Sequence, residues 1–259
     1  MTVQASYPAT PPARAAGMVV NTFGPPQYIS RPLSTRQLEQ LTFGTTDGLY
    51  TVTIDGVEVA NYTASTDTAT VIRDAVLADL LVAGIVAEAV STDKLIIEAP
   101  GDDASDEFVI AISVVASYAA AQLVAHASEV PFGLGLVRDD RAPAGGPRKC
   151  RLPRLATDVT AGMFLGVAAS HTMSEPNAGG WPHLSMPNIL RVGHIYVVVE
   201  DVGIEGAPLF LRHATGTGTQ IGAFRDDADS ASCVAIPGLR ALESWSAGGV
   251  VAAEYFPQT

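Results

Sequence analysis

The sequence has little of several features by which many functions are recognised. It holds two cysteines in 259 residues, too few for a disulfide framework or a four-cysteine zinc site, although Cys150 and Cys233 could still form one disulfide. Aromatic residues make up 7% of the chain, with Trp181 and Trp245 as the only tryptophans, which argues against a carbohydrate-binding or adhesion module. No apolar run approaches the roughly 20 residues that cross a bilayer. Residues 1–8 lack a basic and then apolar leader, so we expect a protein made in the cytoplasm with no membrane partner.

Positive charge is also scarce. The chain has 15 Lys and Arg against 27 Asp and Glu, a formal net charge of −12. A general nucleic-acid binder carries clustered positive charge, so this balance argues against a nucleic-acid partner.

Motifs for chemistry are missing as well. The five histidines show no paired metal-ligand spacing, and no nucleophile elbow is present. The glycines of residues 216–222 lack the strand before and the helix after that a phosphate loop needs, which favours a hairpin loop. The acidic residues at 102–106 and 226–229 are more typical of solvated turns than of calcium sites. We therefore predict no enzyme activity, no catalytic residues, no cofactor and no bound metal.

The negative charge is concentrated in one part of the chain. Residues 47–107 hold 13 acidic residues and only two basic ones, Arg73 and Lys94, so nearly all of the net charge lies there. Such an asymmetry indicates a separate unit.

The pattern in and around this acidic stretch predicts a small α+β module. Residues 49–54 alternate as a half-buried strand does, Asp55-Gly56 is typical of a two-residue hairpin turn, and residues 57–63 form the returning strand. A helix over residues 67–82 follows, with Ser65 or Thr66 as its cap and Gly84 as its stop. Three further strands are predicted within residues 86–115, which gives the order β-β-α-β-β-β.

The flanking segments differ from this module. Residues 1–45 are Pro-rich and predict an extended arm through residue 32, with possible first strands of a β domain. After a helical or strand-like stretch at 116–127, residues 128–259 alternate short apolar runs with Gly, Pro and Asn turns, which indicates an antiparallel β-barrel or sandwich, with a short helix possible at 239–245. The predicted class is mainly β with an α+β module, divided into residues 1–45, 46–127 and 128–259. Whether the acidic module precedes the β domain or is inserted in it stays open.

Basic residues are concentrated at one place only. Residues 138–154 hold six of the 15 basic residues on a Pro- and Gly-rich loop. Two interpretations remain: a solvated loop, or a loop that docks onto an acidic partner, since Arg pairs well with carboxylates.

Two stretches of the β region, residues 158–171 and 188–199, together with Gly17-Met18-Val19 after the arm, resemble the structural cement or decoration proteins of tailed phages. Residues 47–64 with the helix behind them are similar to a module common in phage capsid and tail proteins. The resemblance implies a non-enzymatic virion protein that binds and stabilises the capsid shell. A tail or baseplate component, or a host-surface or carbohydrate adhesion module, is the alternative.

The resemblance also implies partners and a location. We expect the major capsid protein as partner, a homo-oligomer (dimer or trimer), assembly in the host cytoplasm and a place on the capsid exterior. The expected contact residues are Arg14, Tyr28, Arg31, Arg138, Arg141, Arg148, Lys149, Arg151 and Arg154.

Overall fold

The computed structural model describes residues 16–20, 26–101, 104–139, 149–160, 162–170, 179–216, 218, 220–246 and 248–257. The expected contact residues Arg14, Arg141 and Arg148 lie outside these residues. No helix in the described part of the chain is long and apolar enough to cross a membrane.

Strands from both ends of the chain form what we call the β unit. Its longest strand, β15 (Asn188–Val199), pairs with five of the other described strands. The strands of this unit are β1 (Val19–Val20), β2 (Gln27–Ser30), β10 (Val130–Pro131), β11 (Gly135–Arg138), β12 (Cys150–Arg151), β13 (Phe164–Ala169), β14 (Gly180–Trp181), β15 (Asn188–Val199), β16 (Pro208–Arg212), β17 (Phe224–Arg225), β18 (Cys233–Ala241) and β19 (Gly249–Tyr255), with a four-residue helix α2 (Thr157–Thr160).

The sheet of the β unit closes on itself through β15. Strands β15, β17, β16, β18 and β19 follow one another, and β19 pairs back with residues 193–199 of β15. The first part of β15 pairs instead with β13 and β2, which extends the sheet through β11 and β12. Apolar side chains such as Val197, Leu211 and Phe224 fill the enclosed core. The mainly β class is therefore confirmed, although β15 and β17 are parallel where they meet.

Residues 38–124 form two smaller sheets and a helix, which we call the α+β unit. The four-stranded sheet has the order β6-β7-β3-β9, and the three-stranded sheet has the order β5-β4-β8. The elements are β3 (Leu38–Thr42), β4 (Gly48–Ile54), β5 (Val57–Ala64), α1 (Ala69–Val82), β6 (Ala87–Ala89), β7 (Lys94–Glu98), a short 3-10 helix (Ala104–Asp106), β8 (Ile110–Ile112) and β9 (Ala119–Val124).

Local sequence explains the first elements of this unit. Asp55 and Gly56 both have positive φ, as a two-residue hairpin turn requires, and β4 and β5 pair on either side of them. The N-cap of α1 is Thr68, whose hydroxyl accepts from Val71 N, rather than the expected Ser65 or Thr66. Gly84, with φ of 79°, follows the helix as expected.

The four-stranded sheet has a different neighbour on each face. On one face Leu41, Leu95 and Ile97 pack against α1 and the three-stranded sheet. On the other face Leu38, Ile96 and Val124 pack against Leu155 of the β unit. The sheet therefore separates α1 and β5 from the β unit.

Strands β1 and β2 lie within residues 1–45, where the sequence predicts an extended arm with possible first strands of a β domain, and both pair with β15 within the chain. The expected short helix at 239–245 is wrong, because residues 239–241 belong to β18, whose Ile236, Leu239 and Ala241 fill the barrel core.

Candidate functional site

Basic residues from two separate parts of the sequence meet around Cys150. Cys150 N donates to Pro32 O at 2.8 Å, which places Arg31 beside β12. Arg138 lies opposite Cys150 in the β11–β12 pair, and Lys149 directly precedes it. The structure thus brings the backbones of Arg31, Arg138 and Lys149 close to one another, and all three residues are half-buried.

An exposed aromatic side chain lies on the strand that leads into this cluster. Tyr28 is the second residue of β2 and is 44% exposed. Strand β2 pairs with β15 alone among the described strands, so it lies at an edge of the sheet. We call Tyr28, Arg31, Arg138 and Lys149 the basic edge of the β unit.

Arg151 and Arg154 are not part of this surface. Both side chains are buried, whereas a docking loop requires exposed side chains. Two guanidinium nitrogens of Arg151 donate to the two oxygens of Asp158, at 2.9 and 2.8 Å. Arg154 pairs with Glu98, which ends β7 in the α+β unit.

These pairs belong to a chain of alternating charges. Arg36, in the connection between the two units, lies 3.5 Å from both Glu98 and Asp139. Arg151 Nε lies 3.7 Å from Asp139 Oδ1. Largely buried side chains of opposite charge therefore connect the α+β unit to the β unit, and each charge has an opposite charge close to it.

Asp158 has the most complete set of partners in this chain of charges. Besides Arg151 it accepts from the backbone of Arg154 at 2.8 Å and of Leu155 at 3.1 Å. Burial by itself raises the pKa of Asp158, but the hydrogen bonds and charge of Arg151 outweigh it, so the pKa is held below its usual value.

Hydrogen bonds outside these ion pairs complete the junction between the units. Lys94 Nζ donates to the carbonyl of Thr215 at 2.7 Å, and Thr215 N donates to Gln40 Oε1 at 3.2 Å. Lys94 and Gln40 belong to β7 and β3, so the junction uses the face of the four-stranded sheet that also carries Ile96. Sequence analysis missed this junction. Glu98, a charged residue at the end of the apolar strand β7, indicates a buried ion pair, but nothing in the sequence identifies Arg154 as its partner.

The glycine-rich loop within residues 216–222 lies close to two carboxylates. A side chain at Gly216 would collide with Asp229, and one at Gly218 would collide with Glu200. Both carboxylates pair with Arg212, whose side chain is fully buried. Strand β17 follows the loop instead of a helix, so the loop offers no phosphate-binding helix end.

One group of carboxylates among the described residues could approach a cation. Ligand atoms of Asp201, Asp226 and Asp227 lie within 4.8 Å of one another. Arg225 lies 3.5 Å from Asp201 and 2.9 Å from Asp227, so its guanidinium already neutralises part of this charge.

The four histidines in the described part of the chain do not form a common site. His213 is fully buried, and burial lowers its pKa to about 4, so the ring is neutral in the folded protein. His194 lies 3.8 Å from Glu254, and His126 and His183 are ring neighbours at 5.5 Å. The fifth histidine, His171, lies outside the described residues.

The two cysteines are free thiols. Both are buried, and burial raises the pKa of each to about 12. Thiols of this kind are poor nucleophiles, because the thiolate is the reactive form.

Comparison with known proteins identifies the class as phage structural proteins. The model of the structural cement protein family, described by E217 gp24 and Pam3 gp6, matches residues 99–255. The match covers more than half of the chain, from the end of β7 through β19, so the chain belongs to the structural cement protein family. A search of curated proteins finds no match.

Proposed function

We propose that this protein binds the outer surface of a phage capsid shell and stabilises it, with the major capsid protein as its partner and without enzyme activity. Family membership supports a structural role in the virion. The observation that favours a capsid contact is the basic edge. The fold brings the backbones of Arg31, Arg138 and Lys149 close to one another, although the sequence separates Arg31 from the other two, and exposed Tyr28 lies on β2, the strand just before Arg31.

The unequal charge of the two units supports an orientation. Residues 47–107 carry 13 acidic and two basic residues, and they lie in the α+β unit. The basic edge belongs to the β unit. Arginine forks pair well with carboxylates, so the basic edge suits the shell side and the acidic unit suits the solvent side.

We further propose how the chain divides. The acidic segment, residues 46–127, acts as a unit inserted into the β domain made by residues 1–45 and 128–259. Strands β1 and β2 pair with β15, which supports an insertion, whereas β3 pairs with β7 and β9 and so extends the inserted unit toward residue 38. The proposed contact residues also include Arg14, Arg141 and Arg148, which lie outside the described residues.

The proposal is tested by mixing purified protein with empty capsids that lack it and sedimenting the mixture. We expect saturable co-sedimentation, with a stoichiometry that gives the copy number and shows whether a dimer or a trimer binds. Protein that stays in the supernatant with capsids but sediments with isolated tails would instead place it in the tail or baseplate.

A further inference from the structure

The segment between β14 and β15 turns apolar side chains to solvent. Exposed and less exposed positions alternate along residues 182–186, and the exposed ones are Pro182, Leu184 and Met186. Leu184 is 56% exposed and Met186 is 54% exposed. Single exposed apolar residues are common on proteins, but three at alternate positions of one short segment indicate a surface that a partner covers. We call these three side chains the apolar ridge.

The polar residues between them are used inside the protein. His183 Nδ1 accepts a hydrogen bond from Thr35 N at 3.1 Å. Ser185 Oγ donates to the carbonyl oxygen of Pro182 at 2.5 Å. The segment therefore satisfies polar groups internally and leaves its apolar groups in water, which is the reverse of the usual pattern for a surface segment.

Backbone contacts hold the ridge in place in spite of strain. Leu184 has φ of 58°, a left-handed conformation that a bulky side chain rarely adopts. Leu184 N donates to Leu33 O, and Leu33 N donates to Ser185 O, both at 2.9 Å. Such strain persists only where the surrounding structure imposes it, and it is concentrated at functional sites. The strain at Leu184 is therefore a second observation that indicates a binding surface.

The ridge continues the basic edge. Leu33 bridges to Cys150 of β12 on one side and forms its hydrogen bonds to the ridge segment on the other. Strand β2 pairs with the first residues of β15, which follow the ridge segment directly. Arg31 lies between these two contacts, so its backbone runs beside that of Met186.

The charges around the ridge favour one kind of partner. Residues 26–38 and 179–199, which carry the ridge and the strand beside it, contain three arginines and no Asp or Glu. A partner surface with carboxylates is therefore attracted by the basic edge and meets no like charge from these segments.

We propose that the ridge is the apolar anchor of the capsid contact, with Leu184 and Met186 in an apolar pocket of the major capsid protein whose rim carries carboxylates for the basic edge. This inference rests on the proposed function and deepens it, because it gives the chemistry of the partner site. A few fully desolvated side chains carry most of the affinity of an interface, whereas charges at its rim fix orientation.

The test uses a double variant that removes the two side chains and keeps the fold. Asparagine adopts a left-handed φ more readily than leucine does, so Leu184→Asn/Met186→Gln should unfold at the urea concentration of wild type or slightly above it. Val202→Asn/Ile204→Gln is the matched control, because Val202 and Ile204 are 62% and 70% exposed in the connection after β15, outside the basic edge.

Co-sedimentation with empty capsids compares the three proteins. We expect the ridge variant to bind at least about tenfold more weakly than wild type and the control variant, because two desolvated anchors are lost. The difference should persist at high salt, since salt screens charges and does not weaken apolar burial. Equal capsid binding by the ridge and control variants would overturn the anchor and leave the proposed function intact. Wild-type protein that does not bind capsids would overturn both.

Two further measurements separate other roles of the ridge. A ridge variant that unfolds at a clearly lower urea concentration than the control would overturn the proposal, because the side chains would then serve the fold. Sedimentation velocity without capsids should show the same species for all three proteins. If only the ridge variant lost self-association, the ridge would belong to a contact between copies, and the capsid anchor would be overturned.

Discussion

Asp158 holds the end of the buried charge chain that joins the two units. Its carboxylate is fully buried and accepts four hydrogen bonds, two from Arg151 and two from backbone amides. Removing its charge would leave the guanidinium of Arg151 buried with the more distant carboxylates of Glu98 and Asp139 as counter-charges. Loss of one partner from a buried ion pair is costly, because the remaining charge keeps its desolvation penalty.

We therefore expect Asp158→Asn to lower the free energy of unfolding by about 3 kcal/mol or more. Asp74→Asn is the matched control, because Asp74 pairs with Arg73 at the surface and should change stability by less than about 0.5 kcal/mol. Urea unfolding of the two variants measures the difference. Equal stabilities would show that the buried pair contributes little.

His213 gives the fold a dependence on pH. Burial lowers its pKa to about 4 from an ordinary value of 6.5, with the charge of Asp158 opposing the shift and that of Arg212 adding to it. Between these two values the unfolded chain binds a proton that the folded chain excludes, so the unfolding free energy falls as pH falls. The contribution of Asp158, whose folded pKa is lowered, is lost only below about its usual value of 3.8.

For His213→Phe we expect the loss of stability between pH 6.5 and pH 4 to be smaller than in wild type, by up to about 1.4 kcal/mol per pH unit. Denaturant unfolding at a series of pH values measures this difference. Parallel pH profiles for the two proteins would show that His213 is not the responsible group.

At the scale of elements, the pairing of β13 with β15 depends on a residue without a side chain. Gly166 has φ of 143°, and an added Cβ would lie 2.0 Å from the carbonyl oxygen of Leu190 in the neighbouring strand. Gly56, in the β4–β5 turn, also has positive φ but has open space around it. The two glycines therefore separate the cost of a collision from the cost of backbone strain.

We expect Gly166→Ala to destabilise the protein by about 3 kcal/mol or more, because the strands must move apart. Gly56→Ala should cost about 1 kcal/mol, the strain of a positive φ alone. Thermal unfolding of both variants tests this order, and a Gly56→Ala variant that is the less stable of the two would contradict it.

The elements that could be predicted from the sequence are those fixed by neighbours in the chain. The β4–β5 hairpin and α1 follow from the Asp55-Gly56 turn and from local apolar spacing. The N-cap was misplaced because Asp67 accepts from Ser65 N and leaves Thr68 to cap the helix. Residues 239–241 were misplaced because barrel closure with β19 decides their conformation, and the closing partner is not visible in a local pattern. The basic edge depends on β12 lying beside residues 31–33, which only the fold reveals.

At the scale of the whole molecule, net negative charge is concentrated in the α+β unit. The junction holds the two units together. The basic edge lies on the β unit, whereas residues 47–107 of the α+β unit hold 13 of the 27 acidic residues and only two basic ones, so the protein has two chemically different surfaces. Salt screens exposed charges beyond about 8–10 Å, so a contact that uses the basic edge should weaken as salt is raised.

We expect the double variant Arg138→Glu/Lys149→Glu to bind capsids about tenfold more weakly than wild type, because each lost surface pair costs about 0.2–1 kcal/mol and each reversal adds repulsion. Arg240→Glu is the matched control, since Arg240 is an exposed arginine on β18 outside the basic edge. Binding curves from co-sedimentation compare the three proteins. Unchanged occupancy by the double variant would remove the basic edge from the contact surface.

The central claim is that the protein stabilises the shell that it binds. Heating virions that lack the protein, before and after saturation with the purified chain, and following release of the packaged DNA tests this claim most directly. We expect the release temperature to rise with occupancy and to level off when the sites are full. A release temperature that stays constant while the protein binds to saturation would contradict a cement function.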